Sequence, residues 1–173
     1  MKKIDFKKFD KVFIEAEISA NHNHDYQTAV ETIKKIKACG ADAVKMQTYT
    51  ADTLTIDCDN DYFKIGPGTL WEGKTLYELY QEAYTPWEWQ PKLKQISEDL
   101  DLVWFSTPFD RTAVDFLEEM DVPLYKVASF EIRDIALIKM IAAKRKPVIL
   151  STGIATLKEI SFSAVNRSIT AAA

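Results

Sequence analysis

The hydrophobic and polar positions of this chain form two alternating patterns. Short apolar runs without strict alternation predict strands buried on both faces, over residues 12–18, 42–47, 102–106, 124–128 and 147–151. Apolar residues at helical spacing lie between these runs and predict helices over residues 26–38, 88–99, a stretch capped by Asp110, and 134–144. This repeated strand–helix order predicts an α/β fold with a parallel sheet.

The number of strand–helix units leaves two architectures open. About five units can be counted, whereas a closed (β/α)8 TIM barrel needs about 250 residues. The chain is therefore either a small open sheet or an incomplete barrel. A further helix is predicted near Leu157, but the pattern is lost from residue 161 to residue 173. We expect this last segment to be a divergent tail.

One long segment, residues 49–85, has no simple period. It contains several glycines and a proline, followed by a short helical stretch around residues 76–80. A segment of this length inside a compact domain is usually functional or partly ordered.

Composition and charge exclude several classes of protein. The net charge is −4 and basic residues are interspersed with acidic ones, so we expect neither a nucleic-acid nor a membrane partner. The charged start lacks the apolar region of a signal peptide, and no run reaches the roughly 18 apolar residues of a membrane span. Cys39 and Cys58 have no metal-ligand spacing. A cytoplasmic location is the default expectation.

Two lysines stand where buried strands end. Lys45 closes the run at 42–47 and Lys126 lies in the run at 124–128. Burying an ammonium without a counter-charge costs roughly several kcal/mol. A lysine at the end of a buried strand, in contrast, can point into a pocket and bind an anion. The simpler alternative is that both lysines are solvated edge residues.

Other polar residues are predicted at the same carboxyl ends of strands, where barrel active sites lie. The full set is Glu17, Lys45, Gln47, Thr107, Lys126, Ser129, Glu131, Ser151 and Thr152. Ammonium groups and hydroxyls suit a ligand that carries a carboxylate and a phosphate, and the two glutamates could accept protons or orient hydroxyls. The alternative for the serines and Thr107 is a role in turns, beside Pro108 or Gly153.

The histidines of this chain, His22 and His24, alternate with Asn21 and Asn23 in a loop. The spacing invites a metal site, but histidines and asparagines in such loops are more often turn and capping residues. We therefore expect a structural role for this loop.

Five motifs together resemble the sialic acid synthase family. They are residues 16–22 (AEISANH), 40–48 (GADAVKMQT), 105–109 (FSTPF), 125–131 (YKVASFE) and 146–153 (KPVILSTG). The resemblance extends over residues 12–160 and implies a TIM barrel, of which this chain holds about the first five units. Residues 55–63, 68–77 and 83–89 are similar to the pseudaminic acid synthase branch, while acetylneuraminate and legionaminate synthases, which differ in this segment, remain alternatives.

The resemblance implies a transferase that condenses phosphoenolpyruvate with an open-chain 2,4-diacetamido-2,4,6-trideoxy hexose and releases phosphate, in the biosynthesis of nonulosonic (sialic-like) acids. By motif matching, Lys45 and Thr107 would hold the phosphoenolpyruvate carboxylate, and Lys126, Ser129 and Ser151 its phosphate. Glu17 would be catalytic, near the reacting atoms. Gln47 and Glu131 would lie near the sugar.

The resemblance also implies parts that this sequence lacks. Family members carry a divalent metal, manganese or magnesium, on two histidines of later strands, and no residue of this chain corresponds to them. Family members are also homodimers that exchange a C-terminal antifreeze-like domain, which is absent here. We therefore expect a truncated chain, 1–173, that is inactive alone and for which dimerisation is not expected.

Two other functions compete with the synthase interpretation. A Schiff-base aldolase would use Lys45 or Lys126 as its amine nucleophile. A non-catalytic remnant or binding fragment would bind phosphoenolpyruvate weakly or not at all.

Overall fold

The computed structural model describes residues 11–164 and 169–171 of the chain. Its strands form a single parallel sheet in the order β1-β2-β3-β4-β5-β6. The strands are β1 Glu15–Glu17, β2 Ala43–Thr48, β3 Val103–Pro108, β4 Tyr125–Val127, β5 Val148–Leu150 and β6 Ile169–Ala171. A parallel sheet in sequential order is the arrangement of a barrel wall.

All five predicted strands are confirmed, with β1 shorter than its apolar run. Residues 12–14 of the predicted strand lie outside the ladder, and Val12 is 81% exposed. The sixth strand, β6, lies in the segment where the hydrophobic pattern is lost. Its pairing with β5 uses backbone groups, which need no side-chain alternation, and this explains why the pattern did not predict it.

In the described part of the chain, seven α-helices connect or follow the strands. They are α1 Tyr26–Ala38, α2 Ala51–Leu54, α3 Leu76–Ala83, α4 Gln90–Asp99, α5 Arg111–Glu119, α6 Ile135–Ala143 and α7 Leu157–Ala164. The predicted cap at Asp110 is confirmed, since its carboxylate accepts bonds from the backbone N–H groups of Thr112 and Ala113. Among the described residues, no helix has the length and apolar character of a membrane span.

The helices cover one face of the sheet. Alternate strand residues point to that face, and Val44, Met46 and Trp104 are at most 1% exposed there. They pack in one cluster with buried residues of α1, α4, α5 and α6. Full burial of a side chain such as Val44 or Met46 stabilises the fold by about 1.5–3 kcal/mol.

The opposite face of the sheet carries a smaller apolar cluster, built on Ala43, Phe105 and Leu124. Strand alternation places Lys45 and Lys126, two residues further along β2 and β4, on this same face. The inner face, which is the face opposite the helices, therefore carries both a small apolar cluster and the two lysines.

A buried polar network joins the sheet to α4. The hydroxyl of Thr48 donates to Oε1 of Gln90 at 2.8 Å and lies 2.7 Å from the hydroxyl of Ser106. All three residues are 0% exposed, so each polar group depends on the others for its hydrogen bonds.

The substitution Thr48→Val should lower the free energy of unfolding by about 1–3 kcal/mol, because it leaves Gln90 and Ser106 with unpaired buried groups at nearly unchanged volume. Urea denaturation measures the change. The matched control is Thr32→Val on α1, which removes only a bond from the hydroxyl to the carbonyl of Thr28 and should change stability by about 0.5 kcal/mol or less. Equal effects of the two substitutions would contradict the importance of this network.

Candidate active site

A carboxylate, an ammonium and an amide meet where β1 and β2 end. The sheet register pairs Glu17 with Lys45, and Nζ of Lys45 lies 2.7 Å from Oε1 of Glu17. The side-chain amide of Gln47 donates to the same oxygen at 2.8 Å. Lys45 is 7% exposed, so its charge is compensated inside the protein by Glu17.

The environment of Glu17 favours its ionised form. Burial acts to raise its pKa, but the bonds from Lys45 and Gln47, with the charges of Lys45 and Lys126, outweigh burial and hold the pKa of Glu17 below its ordinary value. Glu17 is therefore a carboxylate at neutral pH.

Lys126 is the second buried ammonium of this face, 8% exposed. It donates to the carbonyl of Val127 at 2.8 Å and to the hydroxyl of Ser151. An ammonium has three N–H donors, so these two bonds leave one donor to serve a ligand.

The two lysines lie close enough to repel each other. Burial lowers the pKa of Lys126, and the charge of Lys45 lowers it further, while Glu15, Glu17 and Glu131 act in the opposite direction. Lys45, Lys126 and the three glutamates therefore share one electrostatic environment on the inner face.

Ser129 lies in the turn after β4 and faces the turn after β5. Its hydroxyl oxygen accepts a bond from the backbone N–H of Ile154 at 3.2 Å. Ser151 and Ser129 are thus each engaged at the carboxyl ends of β4 and β5, where the chain turns back toward the helices.

Glu131 begins a short 3-10 turn, Glu131–Arg133, and differs from Glu17 in its environment. Its Oε2 atom is buried without a hydrogen-bond partner among the described residues. Burial raises the pKa of Glu131, and the nearby charge of Asp134 adds to this. A half-buried carboxyl with an unpaired oxygen is suited to receive a hydrogen-bond donor.

The remaining predicted residues are Thr107 and Thr152. Thr107 is 1% exposed and is paired in register with Gln47, which places it on the inner face beside the first group. Thr152 lies in the turn after β5, where its carbonyl accepts from Ala155.

The structure brings seven predicted residues into two linked groups. The first comprises Glu17, Lys45, Gln47 and Thr107, on the first three strands. The second comprises Lys126 and Ser151, joined by a hydrogen bond, and Glu131, which acts on Lys126 through its charge. Ser129 lies beside the second group, against the turn that follows β5.

Two contributors to this site were not predicted. Glu15 is not among the predicted site residues, but its charge acts on Lys126. Its two-residue spacing from Glu17 was the available signal. The backbone N–H of Ile154 gives no sequence signal at all.

The loop with the two histidines is a packed structural element, as predicted. His22 is 0% exposed. Its Nδ1 accepts from the backbone N–H of His24 at 3.0 Å, and its Nε2 lies 3.0 Å from the hydroxyl of Thr85. Since Nδ1 is an acceptor, Nε2 carries the proton. Trp89 packs edge-on against the ring of His22.

The described residues do not fit a metal site. Within residues 11–164 and 169–171, no three histidine, cysteine, aspartate or glutamate side chains are grouped so that they could hold a metal ion. Both ring nitrogens of His22 are already engaged inside the protein, which removes it as a ligand.

The long segment 49–85 is anchored at the carboxyl end of the sheet by aromatic packing. Tyr49 directly follows β2, and its ring packs edge-on against Tyr80 of α3 and Phe109, which follows β3. The indole N–H of Trp87 donates to the carbonyl of Tyr49 at 3.1 Å. The segment therefore begins beside Gln47 and returns to the same end of the sheet.

A parallel strand–helix sheet with two buried ammonium groups toward the carboxyl ends of its strands defines a protein of the TIM-barrel class. Residues 32–170 match the model of the NeuB family. The chain belongs to the NeuB family.

Named relatives agree with this assignment. The chain is 50% identical over 147 residues to the pseudaminic acid synthase of Helicobacter pylori, an alignment that covers 85% of this chain and 43% of that protein. It is 46% identical over 150 residues to the pseudaminic acid synthase of Campylobacter jejuni, covering 87% of this chain and 43% of that protein. The chain thus spans less than half the length of these relatives.

Solved structures agree on the fold. The N-acetylneuraminic acid synthetase of Leptospira borgpetersenii, solved in complex with citrate, superposes with a TM-score of 0.78 at 26% identity, over 95% of this chain and 54% of that chain. A spore coat polysaccharide biosynthesis protein of Bacillus subtilis superposes with a TM-score of 0.72 at 26% identity, over 92% of this chain and 43% of that chain. The sheet is therefore an incomplete TIM barrel. This confirms the second of the two architectures that the sequence left open.

The stability of the fold should depend on pH through His22. Burial, aided by the charge of His24, lowers the pKa of His22 below 6.5. The unfolded chain then binds more protons than the folded one below this pH, so the free energy of unfolding should fall as the pH drops from about 7.5 to about 5.5. Urea denaturation across this range measures the slope.

The variant His22→Gln isolates the contribution of this ring. It cannot titrate, so its stability should fall less steeply over the same pH range, whatever its absolute stability. Identical slopes in the wild type and the variant would show that His22 does not carry this pH dependence.

Proposed function

We propose that this chain forms the phosphoenolpyruvate-binding part of a pseudaminic acid synthase-type transferase. Such an enzyme condenses phosphoenolpyruvate with an open-chain 2,4-diacetamido-2,4,6-trideoxy hexose and releases phosphate. The observation that carries the proposal is the pair of buried ammonium groups, Lys45 and Lys126, on one face of the sheet. Identity of 45–50% to pseudaminic acid synthases supports the choice within the family.

The two ammonium groups divide the two anionic ends of phosphoenolpyruvate between them. Lys45 and Thr107 hold the carboxylate. Lys126, Ser129 and Ser151 hold the phosphate, and the hydrogen bond between Lys126 and Ser151 supports this grouping. Charge-assisted bonds of this kind fix both the position and the orientation of the ligand.

The reaction needs positioning more than covalent help from the protein. The C3 atom of the enol attacks the sugar aldehyde, water adds at C2, and the C–O bond to phosphate breaks as phosphate leaves. Fixed positive charges beside the carboxylate and the phosphate stabilise the negative charge that moves during these steps.

The carboxylates and the amide serve the reacting atoms and the sugar. Glu17 is the catalytic carboxylate, near the phosphoenolpyruvate carboxylate and the reacting carbons. Its contacts with Lys45 and Gln47 support this role. Gln47 and Glu131 contact the sugar, and the unpaired oxygen of Glu131 accepts a bond from a sugar hydroxyl or amide.

The segment 49–85 selects the sugar. Its aromatic anchor beside Gln47 supports a position over the sugar end of the site. Relatives named as N,N'-diacetyllegionaminic acid synthase and N-acetylneuraminate-9-phosphate synthase are 35% and 28% identical to this chain, and their sugars are the alternatives. We further place the protein in the cytoplasm, with small-molecule partners and no nucleic-acid or membrane partner.

Calorimetric titration of the chain with phosphoenolpyruvate tests the proposal. Lys126→Met should weaken binding of phosphoenolpyruvate and of inorganic phosphate, and Lys45→Met should weaken binding of phosphoenolpyruvate and of pyruvate. Each loss should be about tenfold or more, because each substitution removes charge-assisted bonds.

The control is Lys92→Met on the exposed side of α4, which removes the same charge at a distance from the site and should leave binding unchanged. Absence of phosphoenolpyruvate binding by the wild-type chain, or an equal loss in all three variants, would overturn the proposal. The first of these outcomes would favour the non-catalytic fragment.

A Schiff-base aldolase remains the second candidate because burial and Lys45 lower the pKa of Lys126, which favours an amine nucleophile. Incubation with pyruvate and borohydride should leave the mass of the protein unchanged, because the synthase reaction requires Lys126 to stay a non-covalent cation. A stable adduct on Lys126 would establish the aldolase instead.

A further inference from the structure

Gly153 lies against the hydroxyl of Ser129. A Cβ atom built on Gly153 would come 3.0 Å from Oγ of Ser129 and 4.0 Å from its Cβ. The shorter distance is below ordinary van der Waals contact between carbon and oxygen. The space that a side chain would need at Gly153 is therefore taken by the hydroxyl of Ser129.

The backbone of Gly153 does not require glycine for its own conformation. Its φ lies outside the left-handed region, in contrast with those of Gly40, Gly68 and Gly73. The φ angle of this position is therefore one that an alanine can adopt. What glycine provides at position 153 is close approach to Ser129.

The position of Ser129 determines what its hydroxyl can offer. Its oxygen accepts from the backbone N–H of Ile154, one residue after Gly153, so its own proton is directed elsewhere and can be donated. Ser151 is in a similar state, because its oxygen accepts from Lys126. Each of the two serine oxygens already accepts a hydrogen bond from the protein, so each O–H group can donate one. Two such donors suit a phosphate, whose oxygens accept hydrogen bonds.

We propose that Gly153 is a positioning residue for the phosphate site, which acts by letting Ser129 keep the orientation in which it accepts from Ile154 and donates to the ligand. This inference rests on the proposed function for the identity of the ligand. The contact between Gly153, Ser129 and Ile154 does not depend on that ligand.

Gly153→Ala should displace the Ser129 hydroxyl and leave the fold unchanged. The added methyl meets the end of a short, rotatable side chain, so the hydroxyl turns away and its bond from Ile154 is lost or lengthened. The matched control is Gly66→Ala, because a Cβ at Gly66 meets nothing within 4 Å. Gly66 lies in the segment proposed to select the sugar, and the two readouts below contain no sugar.

A double-mutant cycle on the full chain measures the coupling in phosphoenolpyruvate binding. Ser129→Ala should weaken binding about tenfold, and Gly153→Ala should weaken it by several-fold to about tenfold. Because both act through one hydroxyl, the double variant should bind no more weakly than Ser129→Ala alone. A further loss in the double variant, equal to that of Gly153→Ala in the wild type, would overturn the inference, since Gly153 would then act elsewhere.

A second readout needs no ligand. The amide resonance of Ile154 reports its bond to Ser129 in nuclear magnetic resonance spectra of the labelled chain. The Ile154 resonance should shift in Ser129→Ala and by a comparable amount in Gly153→Ala, and it should not move in Gly66→Ala. When Gly153→Ala is added to Ser129→Ala, the resonance should change little further. An Ile154 amide that moves in Ser129→Ala but not in Gly153→Ala would overturn the inference.

The two readouts separate the inference from the proposed function. If the wild-type chain binds no phosphoenolpyruvate while the Ile154 amide behaves as expected, the proposed function fails and the positioning of Ser129 by Gly153 stands. If binding is observed and the cycle is additive, the proposed function stands and the positioning role fails.

Discussion

The rest of the site depends on the burial of two ammonium groups on one face of a sheet. Burying an ammonium without a partner costs roughly several kcal/mol. Each lysine therefore needs hydrogen-bond or charge partners, and the fold must position them. Lys45 receives the carboxylate of Glu17 from the neighbouring strand, and Lys126 receives the carbonyl of Val127 and the hydroxyl of Ser151. The two lysines also repel each other, and an anion between them would relieve that repulsion.

Two apolar clusters, one on each face of the sheet, stabilise the fold around these lysines. One face packs on the helices through Val44 and Met46, and the other has a small apolar cluster around Phe105, on the same face as the lysines. A shift of β2 by one residue would turn Lys45 to the helix-covered face and a core residue to the inner face. The burial of the core residues therefore fixes the register, and the register in turn places Glu17 beside Lys45.

Much of this arrangement could be predicted from the sequence, because burial leaves a periodic signal. The five apolar runs predicted five strands, and their carboxyl ends predicted the polar residues of the inner face. Backbone pairing leaves no such signal, so β6 was not predicted. Contacts between distant segments also leave none: the bond from Ile154 to Ser129 and the packing of Tyr49 on Phe109 join residues whose spacing in the sequence carries no period.

The two carboxyl groups beside the lysines are held in different states, and this difference suits the proposed reaction. Glu17 accepts bonds from Lys45 and Gln47, which lower its pKa against the effect of burial. Oε2 of Glu131, in contrast, has no hydrogen-bond partner in the described ranges, and burial raises the pKa of Glu131. Opposite shifts in neighbouring carboxyl groups are the usual way in which one site obtains both a fixed anion and a group ready to exchange a proton. Glu17 therefore suits the cationic side of the site, and Glu131 suits a neutral ligand whose hydroxyl or amide would supply the partner that its buried oxygen lacks.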